Sequence, residues 1–408
     1  MTTAPPNPQA WTIEETLALI RQLCQPHESE RIPLAQASGR ILRQAVCADM
    51  DQPPFDRSAF DGYAIRLDDD TAVFRCVDRL RAGDWRPRTL QHGETVRVAT
   101  GAALPSEDLQ VVMQEDVQAD DDRVTIRQRN PDRNIRFRGE DARAGQVLVE
   151  PGICLSAGAL ALLASVGCTW PAVTRRPRVV HVVSGNEIVP CNQTPVGGQI
   201  RDSNSILVRT FLNTWNIEPV QLPVPEDLDA MTAVMERAQV DPDCVDLLLV
   251  SGGASVGDHD FTRAWLATLG YTLHVQRTAA RPGKPMILAS RGPRLAFGLP
   301  GNPLAHFACL HVYVRQALRR LLGTAETPLF TTAPLAHPID TVPNPRETLW
   351  PARIDGGTDG VWITLLTWRS SGDITALGAA NALARLLPAS GPLKRGDPVP
   401  FLSTNSIP

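Results

Sequence analysis

The chain has 408 residues, 43% hydrophobic and 21% charged, with a formal net charge of −4 at pH 7. It is long for one domain and ordinary in composition for a globular protein, so two to four domains are expected. The slight acidic balance gives no reason for a nucleic-acid partner, and no apolar run approaches the roughly 18 residues that cross a bilayer, so neither nucleic acid nor membrane is expected.

The start, MTTAPPNPQAW, lacks the basic-then-apolar layout of a signal peptide. The eight cysteines are scattered singly, with no C-x-x-C pair. They read as small core residues in a reducing compartment rather than as disulfides or zinc ligands, and a cytoplasmic location is expected.

Residues 1–45 read as helical: Thr12 with Glu15 forms a capping box before the apolar period Leu17, Ile20, Leu23. From 46 to 142 the texture changes to short alternating runs such as TVRVAT and RVTIRQ, broken by Gly, Pro and Asp. LSAGALALLASV, at 155–166, returns to helix. A β-rich domain over 46–142 is therefore expected inside a helical domain formed by 1–45 and 143–176. Residues 177–325 alternate strand, Gly-rich loop and helix, which predicts a parallel α/β sheet. Residues 326–408 are again β-like.

Three strand-to-loop junctions of one kind lie in the α/β segment: VVHVVSGNEIV, LLLVSGGASVGDHDF and RLAFGLPGNPLAHF. In an open parallel sheet the carboxyl ends of the strands share one edge, and ligands bind there. Glycine lets a ligand approach the backbone, and Asn302 before Pro303 is a good helix start. Alone, each junction could be a turn; together they predict a cradle for a phosphate or a pterin. Glu187, Asp258 and Asp260 read either as solvated loop charges or as ligands of a Mg²⁺ beside the anion. Arg277, Arg281 and Lys284, around a Pro-Gly turn, read either as surface charge or as an oxyanion site. In the β-rich segment, QPPFDRSAFDGYAIR is stiff and mixed in polarity. VRVATGAALP carries Thr100, and RNIRFRGEDARAG carries Arg136, Arg138, Glu140 and Asp141, which could equally form a charged surface hairpin.

PPFDRSAFDGYA resembles the PPFDNSAMDGYA-type motif of the molybdopterin molybdenumtransferase family, whose relatives include the E domain of gephyrin. VATGAALP, NIRFRGED, GGQIRDSNS, VSGGASVGDHDF, RPGKP and GLPGNPLAHF follow in the family's order and spacing, and SSGDITALGAANAL resembles its last Gly/Ser segment. The resemblance covers about residues 10 to 390.

The resemblance implies an enzyme that inserts molybdate into adenylylated molybdopterin with Mg²⁺, releasing AMP. It implies four domains: an elongated helical one, an inserted β domain, a molybdopterin-binding α/β domain and a C-terminal β-barrel. It also implies a homodimer whose site lies between the α/β domain of one subunit and the β domain of the other. Transient contact with the molybdopterin adenylyltransferase and with acceptor molybdoenzymes is expected too.

On that footing Ser251, Gly252, Gly253, Ser255 and Gly257 hold the pterin or phosphate end. Asp202, Ser203 and Asn204, with Pro300, Gly301, Asn302 and Pro303, complete the substrate cradle. Glu187 and Asp260, with Asp227 or Glu226, hold the divalent ion. Arg277, Arg281 and Lys284 attract molybdate, while Asp61, Thr100, Arg136 and Asp141 complete the site. The chain departs from the family where Arg277 and Arg281 replace frequent lysines and where Asn186 replaces a common acid. An arginine is also expected in the C-terminal segment, where LWPARID offers Arg353. A non-catalytic molybdopterin-binding scaffold and a plain nucleotidyltransferase are the competing readings. The acids Asp61, Asp141, Glu187 and Asp260 favour the enzyme over the scaffold, and the FDRSAFDGYA domain disfavours the nucleotidyltransferase.

Overall fold

A computed structural model of the protein describes residues 10–252, 261–340, 344–357, 360–388 and 391–405. Strands dominate: the described residues form three six-stranded sheets and several two-stranded ribbons, with few helices.

The central sheet has the strand order Val220–Val224, Val179–Ser184, Leu247–Ser251, Arg294–Leu299, Ile287–Arg291, Thr272–Val275. The first four strands are parallel, Ile287–Arg291 runs antiparallel to them, and Thr272–Val275 is antiparallel to it in turn. Val179–Ser184 and Leu247–Ser251 are buried along their whole length, because helices cover both faces of the sheet. Side chains alternate across a strand. Leu247 and Leu249 therefore enter one core with Val208 and Phe211, while Leu248 and Val250 enter the other with Met231, Met235 and Trp265. Strands buried on both faces carry continuous apolar runs, as LLLV does.

The N-terminal helix Ile13–Leu23 begins at the expected capping box. The Glu15 N–H donates to Thr12 Oγ1 at 3.2 Å, and the Thr12 N–H donates to Glu15 Oε2 at 2.8 Å. Its buried face, Ile13, Leu17 and Ile20, lies in the same core as Tyr313 and Leu318. Those two belong to a long helical run from Pro303 to Leu322 that contains a π-helical turn over Leu310–Val314. Arg385 of the C-terminal sheet reaches Glu14 at 2.6 Å.

Residues 10–45 and 143–176 are less helical than their sequence suggests. They hold the helices Ile13–Leu23 and Ala157–Ser165 and a ribbon that pairs Ser29–Arg31 with Ala172–Thr174; a second ribbon, at their border, pairs Val46–Cys47 with Val147–Val149. The strand Ser29–Arg31 is exposed throughout and polar, so no apolar alternation announces it. The second ribbon carries the chain out to, and back from, a sheet with the order Leu109–Met113, Gly62–Arg66, Glu94–Val98, Val73–Leu80, Arg123–Ile126, Val117–Asp120. Ala64 faces one of its cores, Tyr63 and Ile65 the other.

The third sheet orders Ala280–Arg281, Glu347–Gly357, Ala382–Leu386, Pro398–Ser403 and Thr331–Pro334, with Gly360–Leu365 beside Glu347–Gly357. A bridge from Leu335, just after Thr331–Pro334, to Ile363 links that end of the order to Gly360–Leu365. Its first strand comes from the α/β segment, with Arg281 opposite Thr348. The RPGKP turn is thereby pinned to the C-terminal sheet.

Leu17 is 3% exposed in the large core. Leu17→Ala is expected to cost roughly 2–5 kcal/mol, as buried leucines do, measured by denaturant unfolding. A loss below about 1 kcal/mol would show that the N-terminal helix is not packed into the α/β layer.

Candidate substrate pocket at the parallel strand ends

Three parallel strands end level with one another: Val183 is opposite Ser251, and Ser251 is opposite Leu299. Beyond them lies a cavity of about 360 Å³, and a second hollow of about 490 Å³ adjoins it across the 185–190 loop. The strand ends approach so closely that only glycine fits at 252. Its φ is +92°, and a Cβ there would lie 2.1 Å from the Ser184 carbonyl oxygen.

Ser184, Glu187, Arg201, Asp202, Ser203 and Asn204 line the first cavity, together with Ser251, Gly252, Pro285 and Pro300–Pro303. Two buried polar atoms in this lining, Ser184 Oγ and Asn204 Oδ1, have no partner among the described residues. An unsatisfied buried oxygen costs desolvation energy, so both are poised for hydrogen bonds to a ligand.

Local hydrogen bonds shape the rim. The helix Asn204–Asn213 starts where the Ser205 N–H and hydroxyl donate to Asp202, at 2.9 and 2.5 Å. Asn204 Nδ2 donates to the Gly301 carbonyl at 2.8 Å, tying this helix start to the Pro300–Pro303 loop. Asn302 precedes the helix as expected, but its side chain donates to Ser371 Oγ at 3.0 Å instead of capping. The SSGD stretch of the C-terminal segment thus reaches the pocket loop.

Buried histidines lie close behind the pocket. His181 Nε2 is 2.5 Å from Ser251 Oγ, and Gln221 Nε2 is 3.1 Å from His181 Nδ1 and 2.9 Å from the Ser205 carbonyl. His306 Nδ1 lies 3.1 Å from the Pro300 carbonyl, and the two imidazole centroids are 6.3 Å apart. Burial depresses both rings, His181 to about 3 and His306 to about 4, so both are neutral at pH 7. Neither histidine was expected from the sequence. The visible signal was a single polar residue in each apolar stretch, VVHVV and PLAHF.

The cations gather at one side. Pro285 brings the RPGKP turn to the cavity. Arg281 stacks over Trp368 with 5.1 Å to the ring centroid, and Lys284 is exposed. Arg277 holds the N-terminal segment through its carbonyl, which accepts the Trp11 N–H at 3.0 Å. Arg346 lies near Arg281: burial, and then Arg281 itself, lower its pKa. Arg353 instead pairs with Asp355 at 2.9 Å on the outer part of its strand. Arg346, not Arg353, is the C-terminal arginine near the cations. A strand pairing between distant segments decides this, and local sequence cannot reveal it.

The acids divide. Glu187 lines the cavity. Asp227 does not; it caps the helix Leu228–Arg237 by accepting the Ala230 N–H at 2.7 Å. The Glu226 N–H donates to Asn186 Oδ1 at 3.2 Å. Gly253, Ser255, Gly257, Asp258 and Asp260 lie outside the described residues. Among the described residues, the cluster with metal-like spacing is Asp69, Asp70 and His92 in the β-rich segment. Asp69 there is a turn-former, accepting the Thr71 and Gly93 N–H groups at 3.0 and 2.7 Å.

The remaining expected residues form a separate cluster. Asp61 accepts the Thr100 N–H at 2.6 Å and the Thr100 hydroxyl at 2.9 Å, which hold its carboxyl below the usual range. Arg136 pairs with Asp141 at 2.6 Å and with Glu140. Among the described residues lining the cavity, none comes from segment 46–142. The chain thus brings the cradle together with the RPGKP turn and leaves Asp61, Thr100, Arg136 and Asp141 outside the described lining.

A family model for the MoeA N-terminal region (domain I and II) matches residues 11–167, and one for a probable molybdopterin binding domain matches residues 181–320. A molybdopterin molybdenumtransferase of Nostoc sp. is 34% identical over 319 residues, 76% of this chain and 73% of that protein. One from Staphylococcus epidermidis is 29% identical over 385 residues, 92% of this chain and 91% of that protein. The crystal structure of a molybdopterin biosynthesis MoeA protein from Pyrococcus horikoshii superposes with a TM-score of 0.80 at 26% identity, covering 98% of this chain and all of that one.

The neutral histidines set an acid limit. Unfolded imidazoles take up a proton near pH 6.5, while His181, His306 and His311 (about 3, also from burial) stay neutral when folded. The unfolded state therefore binds more protons below pH 6.5, and stability falls as pH falls. Each ring contributes roughly 1.4 kcal/mol per pH unit once well below 6.5. Melting temperature should drop steadily between pH 6.5 and 5, above the main carboxylate range. A flat profile there would mean these rings carry charge in the folded protein.

Proposed function

The chain belongs to the molybdopterin molybdenumtransferase family and is an enzyme of molybdenum cofactor synthesis; from that premise we propose that it inserts molybdate into adenylylated molybdopterin and releases AMP. The observation that carries this reading is the juxtaposition of a polar strand-end cradle with the RPGKP turn. Two anionic reactants must meet, and unit charges 4 Å apart repel by about 4 kcal/mol at an effective dielectric of 20. Arg281, Lys284 and the neighbouring Arg346 offset that repulsion and draw molybdate in. Ser184, Ser251 and Asn204 orient the pterin or its phosphate by hydrogen bonds.

Mg²⁺ is part of the proposal. Glu187 and Asp202 both line the cavity and carry carboxylate oxygens, the donors this ion takes, whereas Asp227 lies outside that lining. Glu187 and Asp202 would hold the ion, with Asp260 as a third donor. Bound there, Mg²⁺ would neutralise phosphate charge as the adenylate leaves.

Asp61, Thr100, Arg136 and Asp141 enter through dimerisation. Their cluster lies outside the cavity lining of its own subunit, and a twofold dimer lets each subunit's β-rich sheet close the other's cradle. The deciding experiment incubates pure protein with adenylylated molybdopterin, Mg²⁺ and molybdate and measures AMP. Binding without AMP release would favour a scaffold instead.

Arg281→Ala is expected to raise the molybdate concentration needed for half-maximal AMP release and to leave pterin binding largely intact. Collapse of pterin binding at an unchanged molybdate requirement would assign Arg281 elsewhere.

Glu187→Gln should slow AMP release by roughly 10²-fold or more, the usual loss for one electrostatic contact, and Asp61→Asn should do likewise. Mixed in equal amounts and allowed to exchange subunits, the two inactive variants should recover about a quarter of wild-type activity. About half the dimers are then mixed, and each mixed dimer has one intact site of two. Confirmed exchange with no recovery would place the whole site within one subunit.

A further inference from the structure

His181 stands in a strand whose neighbours are apolar, VVHVVS, and it is completely buried. A valine or leucine would pack there without desolvating two ring nitrogens. Both nitrogens are instead engaged in a chain that begins at the helix covering this face and ends at the pocket. The Ser205 carbonyl can only accept, so the Gln221 nitrogen 2.9 Å away is a donor and the amide orientation is fixed. Its second hydrogen points to His181 Nδ1 at 3.1 Å, which makes Nδ1 the acceptor. The ring is neutral, so its proton sits on Nε2 and is donated to Ser251 Oγ at 2.5 Å.

Ser251 Oγ therefore accepts one hydrogen and keeps its own to give. Among the described residues it has no other hydrogen-bond partner, and Ser251 lines the cavity. Ser184, whose Oγ has no partner among the described residues, lines the same cavity. We infer that His181 is a positioning residue that, held in one tautomer by Gln221, fills one lone pair of the Ser251 hydroxyl and leaves its hydrogen to be donated toward the pocket. The subsite at Ser251 accordingly offers that hydrogen to an unprotonated oxygen of the ligand, from a phosphate or a pterin carbonyl. The identity of the ligand rests on the function proposed above; the hydrogen-bond polarity does not.

Two measurements test it. Nitrogen NMR on histidine-labelled, ligand-free protein at pH 7 should show His181 as the neutral tautomer protonated on Nε2. A ring protonated on Nδ1, or a charged ring, overturns the inference whatever the protein binds. The second is a binding cycle with metal-free molybdopterin, with AMP and a simple pterin as separate probes. Ser251→Ala and His181→Leu should each weaken molybdopterin binding about tenfold, and the double variant should lose no more than either alone, because both remove one interaction. His181→Gln, which keeps an N–H within reach of Ser251, should recover most of the affinity. Whichever small probe shares the loss identifies the oxygen. Additive losses, or no recovery with glutamine in a variant that melts like wild type, would mean that His181 acts only in packing. If wild type binds none of the three probes, the proposed function fails, and the tautomer measurement still decides the relay.

Discussion

The architecture depends on one constraint: a parallel sheet buried on both faces has no room for chemistry except at the ends of its strands. Leu247, Leu248, Leu249 and Val250 send side chains alternately into two cores, so a polar group along that strand would have to be satisfied inside the protein. The level ends of the three parallel strands collect Ser184, Ser251 and the Pro300–Pro303 loop at one edge. Gly252 lets those ends come together, because any side chain there would strike the Ser184 carbonyl.

His181 is the exception that follows from this constraint. It lies two residues before the strand-end level, on the face covered by the helix Asn204–Asn213. Gln221 on the adjacent strand, opposite it in register, satisfies one nitrogen, and Ser251 satisfies the other. The same glutamine binds the first turn of the covering helix, whose start lines the pocket and is tied to Gly301 by Asn204. The rim and the floor of the pocket are thus one hydrogen-bonded unit, and a shift in the helix start would be felt at Ser251.

The third sheet contributes to the site through pairing rather than proximity in sequence. By running beside Glu347 and Thr348, Ala280–Arg281 fixes the RPGKP turn against the C-terminal segment. Trp368 then lies under the Arg281 guanidinium, Arg346 stands near it, and Ser371 holds Asn302. An ammonium could not stack over the indole as a planar guanidinium does. Arg281 is therefore held flat by an aromatic face beneath it.

The sequence by itself determined the features set by local chemistry or carried by ordered motifs. These were the capping box at Thr12, the three strand-to-loop junctions, the helix start before Pro303, and the family, read from eight short segments from FDRSAFDGYA to SSGDITALG. Turns, caps and strand ends are built from residues adjacent in the chain, so their signals survive in a linear reading. Only the tertiary structure decided how shared residue types were put to use. Asp227 and Glu187 are both acids after strands, yet one caps a helix and the other lines the pocket. Arg346 and Arg353 lie on one segment, but pairing with Ala280–Arg281 brings the former to the cations, while the latter pairs with Asp355. The polar strand Ser29–Arg31 exists because Ala172–Thr174 pairs with it, not because its residues favour a strand. His181 looked like an interruption in an apolar run until its partners, 40 and 70 residues away, came into hydrogen-bond range. Such choices are made by long-range packing, which fixes which side chains meet across segments that the sequence keeps far apart.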